Sequence, residues 1–214
     1  MSSQKIFLLG GGGHCKAVID VLESNDTYEI NGVFDVKSNI GKKICGYPII
    51  GTDDELLSKA SAIDHFLVTA GHIKTASIRK KLFSLLLEEK LNIPVVIDGS
   101  GKVSKHSKIG LGTIAMRNVV INADAKIGVN CILNTGSIVE HDAVIGNHTH
   151  VSTGAIVNGG AKVGEECFIG SNATVAQGVT LGNNVIIAAG STVLSDVESN
   201  VLYAGSPAKF KKNI

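Results

Sequence analysis

Hydrophobic positions follow two different rhythms along this chain. Over residues 1–92, short apolar runs alternate with helical patterns. Ile6-Phe7-Leu8-Leu9 reads as a buried strand that ends in Gly10-Gly11-Gly12-Gly13, with a helix predicted over about residues 16–24. Gly32-Val33-Phe34-Asp35 reads as a second strand closing on an acid. Thr52 followed by Asp53-Asp54-Glu55 has the form of an N-cap with acids in the first turn, opening a helix through Leu56 and Leu57. Phe66-Leu67-Val68 predicts another strand, and residues 73–90 a long helix. Strand and helix in alternation predict a small α/β domain of Rossmann-like type with a parallel sheet.

From Ile97 onward the spacing changes. Every sixth residue from 97 to 193 is Ile, Leu or Val, with Ala115 alone departing from the pattern. A helix cannot use a period of six, and a simple alternating strand does not require one, so this periodicity predicts a β-solenoid. Four residues after each apolar position stands a small or branched one, as at Thr113, Cys131, Ala143, Thr149 and Cys167. Gly110, Gly128, Gly146, Gly164 and Gly182 recur every 18 residues, so three hexapeptides close one coil and one corner per coil favours glycine. The result is a triangular prism of stacked coils over residues 93–214. Residues 201–209 leave the pattern and are predicted to cover its open end.

Composition narrows the function classes. The net charge is +1, aromatic residues are 4% of the chain, and no basic run appears, which argues against nucleic acid as a partner. The first apolar stretch is too short to cross a bilayer, so neither membrane insertion nor a signal peptide is expected. Four cysteines without a CxxC or His/Cys cluster suggest a reduced, cytoplasmic protein. The loop at Gly10–Gly13 suits a phosphate at a helix N-terminus. It is not a dinucleotide fingerprint, because position 15, where GxGxxG requires glycine, is Cys15.

The hexapeptide array and the closing Gly205-Ser206-Pro207-Ala208-Lys209 resemble the hexapeptide acyltransferases. Adding the strand into Gly12-Gly13-His14, Asn134-Thr135, Glu140-His141-Asp142 and His148-Thr149-His150 narrows the resemblance to the sugar O- and N-acetyltransferases. This resemblance implies a left-handed parallel β-helix, acetyl-CoA as co-substrate, no metal, and a homotrimer with acetyl-CoA between neighbouring prisms. It implies transfer of acetyl to the 4-amino group of a nucleotide-linked 4-amino-4,6-dideoxy sugar in bacterial surface glycan synthesis, or alternatively O-acetylation of a sialic acid.

Acetyl transfer from a thioester needs a base, an oxyanion donor and a slot aligning both substrates. His141 is the candidate base, with Glu140 and Asp142 flanking it, although the same residue alone would pass for a surface histidine at a solenoid edge. The resemblance favours Asp142 as its carboxylate partner. One coil further on, Gly159 should stack over His141 at roughly 4.8 Å, and the resemblance gives its amide to the acetyl oxygen. By the same resemblance His150, Ser171 and Ala189 meet acetyl-CoA, while Gly12, Gly13, His14, Asp35, Gly71 and Asn134 hold the acceptor. Relatives acting on UDP-sugars carry two adjacent acids where this chain has Asp35-Val36. A zinc-dependent hydratase would need three converging histidines, and His141, His148 and His150 fall at different phases of the repeat.

Overall fold

In the computed structural model, residues 4–25 and 27–214 are described. They form two compact units, one built from the described residues up to 71 with 77–99 and the other from 72–76 with 100–214.

The first unit is built on β1 (Gln4–Leu9), whose last four residues are fully enclosed. A run apolar on both faces belongs in the middle of a parallel sheet. β1 leads to α1 (Gly13–Glu23), which buries Cys15, Val18, Ile19 and Leu22, one stripe at helical spacing. β2 (Tyr28–Phe34), β3 (Lys43–Ile44), β4 (Tyr47–Gly51), α2 (Leu56–Lys59), β5 (His65–Val68) and α3 (Ser77–Glu88) follow. The sheet order is β3-β4-β2-β1-β5, parallel except for the β3–β4 hairpin. Phe7 stands between Phe34 and Phe66, with both ring centroids 5.8 Å away.

Three boundaries differ from those predicted. α1 begins at Gly13, not near residue 16, because the glycine loop itself runs into the first turn. The segment after Thr52 first forms a 3₁₀ turn (Asp53–Glu55), fastened by the Thr52 N–H donating to Glu55 Oε2 at 3.0 Å, and α2 is only four residues long. The helix predicted over 73–90 is α3, confined to Ser77–Glu88. Residues 72–76 pack with the second unit instead, where the His72 carbonyl accepts a hydrogen bond from His150.

In the second unit each hexapeptide contributes a two-residue strand, and strands 18 residues apart pair in parallel, as Val120 with Ile138 and Ile138 with Ile156. Three flat sheets result, meeting at turns to enclose a core of residues such as Val139, Val151, Val157 and Ile169, all 0% exposed. At the far end, Val201–Ala204 pairs in parallel with the last coil and Lys209–Asn213 folds back antiparallel upon it.

The 18-residue glycine beat has a steric cause. A Cβ on Gly146 would lie 2.5 Å from the carbonyl carbon of Gly164, one coil on. Backbones at this corner stack too closely for any side chain. Replacing Gly146 with Ala is expected to lower stability by about 1–3 kcal/mol, read as a fall in thermal midpoint by far-UV circular dichroism.

Candidate active site

The turn at Glu140-His141-Asp142 lies on one corner of the prism. Asp142 takes a left-handed conformation, φ 60°, which aspartate tolerates better than most side chains. That turn directs its carboxylate back to the preceding ring, and His141 Nδ1 lies 2.8 Å from Asp142 Oδ2. With Nδ1–H donating to the carboxylate, Nε2 carries the lone pair. The hydrogen bond to Asp142 raises the His141 pKa above its ordinary value, with a smaller contribution from the charge of Glu140. Glu140 itself faces the preceding coil, where Asn122 Nδ2 donates to its Oε2 at 2.8 Å. The two flanking acids therefore have different jobs, and Asp142 holds the ring.

Gly159 packs against the other edge of the imidazole. A Cβ there would sit 2.8 Å from both Cε1 and Nε2 of His141. The coil is fastened around it, with Gly160 N–H donating to the His141 carbonyl at 2.9 Å and Gly178 N–H to the Gly159 carbonyl at 3.0 Å. The Gly159 N–H makes no hydrogen bond among the described residues. The buried Gly159, its amide unengaged, thus packs on the Nε2 edge of a ring that is itself largely exposed.

His150 is buried beneath Phe168, 5.1 Å between centroids. Its Nδ1–H donates to the His72 carbonyl at 2.6 Å, and Asn134 Nδ2 donates to its Nε2 at 3.2 Å. Asn134 Oδ1 in turn accepts from the Thr135 N–H at 2.8 Å, which fixes the amide's orientation. Ser171 is half-buried with its hydroxyl 3.0 Å from that of Ser152, and Ala189 is exposed one coil beyond. Asn134, Ser171 and Ala189 occupy the corner next to that of His141, so one chain does not bring the two sets together.

In the first unit, Gly12, Asp35 and Gly71 line a cavity of about 520 Å³ at the C-terminal ends of the parallel strands, where open α/β sheets bind ligands. Gly13 and His14 form the first turn of α1, and Gly71 comes close to His14, its would-be Cβ being 3.3 Å from that of His14. Asp35 reaches over the glycine loop, since a Cβ on Gly11 would be 2.7 Å from its Oδ2. Asp53, Ile78 and Lys81 also line this cavity and were not among the sequence candidates. Ile78 and Lys81 lie three apart on one face of α3, a spacing visible in the chain, but nothing in the sequence marks a lysine on a helix face as facing a cavity.

Cysteine chemistry is disfavoured by burial, which pushes the Cys15 thiol to about 11 and that of Cys167 to about 12. Among the described residues, no group of three or more His, Cys, Asp or Glu could hold a metal ion, and no helix is long and apolar enough to cross a membrane.

Residues 5–86 match the family described as PglD N-terminal domain, and residues 160–195 match the bacterial transferase hexapeptide (six repeats). The fold superposes on the acetyltransferase domain of PglB from Neisseria gonorrhoeae FA1090 with a TM-score of 0.91 and 30% identity, covering 98% of this chain and 100% of that one. This chain belongs to the hexapeptide-repeat sugar acetyltransferases with a PglD-type N-terminal domain. The same PglB domain has been solved in complex with acetyl coenzyme A. A histidine-to-asparagine mutant of perosamine N-acetyltransferase from Caulobacter crescentus, in complex with CoA and GDP-perosamine, gives a TM-score of 0.90 at 32% identity over 98% of this chain and 97% of that one. Sequence comparison with curated proteins gives no match. The acetyltransferase is accordingly a left-handed parallel β-helix preceded by an α/β domain.

The hydrogen bond between His141 and Asp142 sets a direct test on the ring. Carboxylate stabilises the imidazolium, so Asp142→Asn should lower the His141 pKa. An NMR titration of the His141 ring should show its midpoint at lower pH in the variant than in the wild type.

Proposed function

We propose that this protein transfers the acetyl group of acetyl-CoA to the 4-amino group of a nucleotide-linked 4-amino-4,6-dideoxy sugar, with His141 as general base. The observation that carries this reading is the trio at one corner: an imidazole fixed by Asp142 through Nδ1, its Nε2 edge packed on Gly159, whose amide is unengaged. The PglB domain bound to acetyl coenzyme A and the perosamine enzyme bound to CoA and GDP-perosamine support the choice of substrates. That the perosamine enzyme was crystallised as asparagine and alanine mutants of a single histidine supports the choice of base.

In this mechanism the neutral acceptor amine attacks the thioester carbonyl and a C–N bond forms. His141 Nε2 takes the proton released from nitrogen, and Asp142 stabilises the imidazolium. The Gly159 N–H donates to the oxyanion of the tetrahedral intermediate. As the C–S bond breaks, the proton on His141 passes to the departing CoA thiolate. The cavity at Gly12, Asp35 and Gly71 takes the nucleotide end of the acceptor, with Gly13 and His14 at the helix start. Asn134, held by His150, faces the acceptor, and Ser171 and Ala189 line the pantetheine slot.

Placement of Ser171 and Ala189 one corner away from His141 supports a homotrimer, in which the corner of one prism meets the neighbouring corner of the next. We place the enzyme in the cytoplasm, where acetyl-CoA and nucleotide sugars are made.

His141→Ala should reduce turnover to background in a thiol-release assay with acetyl-CoA and UDP-, GDP- and dTDP-linked 4-amino sugars, with free sialic acid as the hydroxyl acceptor. Acetyl-CoA binding should be retained, and near-wild-type turnover would refute the assignment. Gly159→Ala should lower kcat by about a hundredfold with little change in thermal midpoint, because its methyl displaces the ring from its working position.

A further inference from the structure

The cavity of the first unit crosses four strand ends in spatial order, β5, β1, β2 and β4. Its chemistry changes along that line. At the β1 end, Gly12 and Gly13 present exposed backbone at the start of the 11-residue α1, a place for anionic oxygens. Next, at the end of β2, stands Asp35. Its Oδ2 accepts from Asn39 Nδ2 at 2.8 Å, and Asn39 Oδ1 is held by Lys42 Nζ at 2.8 Å, so the acid is fixed from behind. Beyond it, Val36 and Ile78 come from different elements and stand at the mouth of the same cavity, 60% and 65% exposed. At the far end Asp53, just after β4, meets Lys81 of α3 with 3.5 Å between Oδ2 and Nζ.

Anion site, acid, apolar pair and charged pair follow the order of a nucleoside diphosphate, which presents phosphates, a ribose diol, a flat base and that base's polar edge. We propose that Asp53 and Lys81 read the edge of a nucleobase seated between Val36 and Ile78, and that they select guanine. The proposal rests on the nucleotide-sugar reading above.

The selectivity follows from donor and acceptor patterns. Guanine places two donors, N1–H and N2–H₂, side by side, matching the two oxygens of one carboxylate, with the O6 acceptor next to them for an ammonium. Uracil and thymine offer a single N–H between two carbonyls, whose lone pairs would face those of Asp53. Adenine and cytosine set a ring acceptor beside their amino group, which the carboxylate would also oppose. The Asp53–Lys81 contact is long, and the Lys81 side chain is 76% exposed while that of Asp53 is 30% exposed. Such pairs contribute little, so re-aiming both groups at a ligand costs little.

The test is calorimetric titration of the full chain with GDP, UDP, dTDP and ADP, repeated on Asp53→Asn and Lys81→Met. The wild type should bind GDP about tenfold or more tightly than the others, the discrimination expected of one bidentate contact. Asp53→Asn should bring GDP down to the level of UDP while UDP stays within about twofold of its wild-type value, which also shows that the variant is folded. Lys81→Met should weaken GDP severalfold. Equal affinities for GDP and UDP in the wild type, or a GDP preference that survives Asp53→Asn, would overturn the guanine assignment and leave the nucleotide-sugar reading standing. If no nucleoside diphosphate binds at all, both fall together.

Discussion

Backbone hydrogen bonds between residues 17 or 19 apart hold strands of the second unit in an 18-residue register, and the placement of its chemistry depends on that ladder. A two-residue strand has no stability alone. Each survives because its amides and carbonyls are shared with the coils before and after it, and because stacking closes an apolar interior that no single coil could bury. The ladder explains why Gly159 lies against the ring of His141: the peptide of residue 160 is bonded to the carbonyl of residue 141. It also explains the left-handed turn at Asp142, which repeats at equivalent corners in Asp124 and Gly160. The geometry around His141 is a by-product of a structural repeat, decorated at one corner with a histidine and an acid.

The decorated corner works by exposure, not burial. His141 and Asp142 are both mostly in solvent, with side chains 60% and 65% exposed, so their hydrogen bond acts by orienting the ring and favouring its charged form more than by stabilising the fold. The buried and half-buried polar groups have the opposite task. His150 and Asn134 are bonded to each other and to the backbone at His72 and Thr135, which fixes one tautomer and one amide orientation. Thr113 and Thr149 donate their hydroxyls to the carbonyls of Gly128 and Gly164, satisfying acceptors at the glycine corner.

The solenoid was legible in the sequence to the residue, since a period of six leaves every apolar position no choice of face. The pairing of Gly159 with His141 followed from the same arithmetic. Which acid served His141 did not, because Glu140 and Asp142 are both adjacent in sequence, and only the αL turn sends one toward the ring and the other toward Asn122. In the α/β unit the strands were clear from their apolar runs, but the helix limits were not. Gly13 is a poor helix former that nevertheless starts α1, and residues 73–76 look helical yet pack with the solenoid. Asp53 and Lys81 were invisible as site residues because a charged side chain near a helix start, or on a helix face, reads as solvated until the fold sets the two side by side.

An unbroken ladder also constrains how such a protein can change over generations. Deleting one residue from a coil would turn every later side chain to the wrong face of the prism, and nothing downstream would correct the slip. Alterations within the solenoid must therefore proceed by substitution, or by whole coils at a time. The loops after β1, β2 and β4 carry no such obligation, and each borders the cavity of the first unit. Changes of length are therefore easier to absorb around that cavity than within the coils that hold His141 and Gly159 in register.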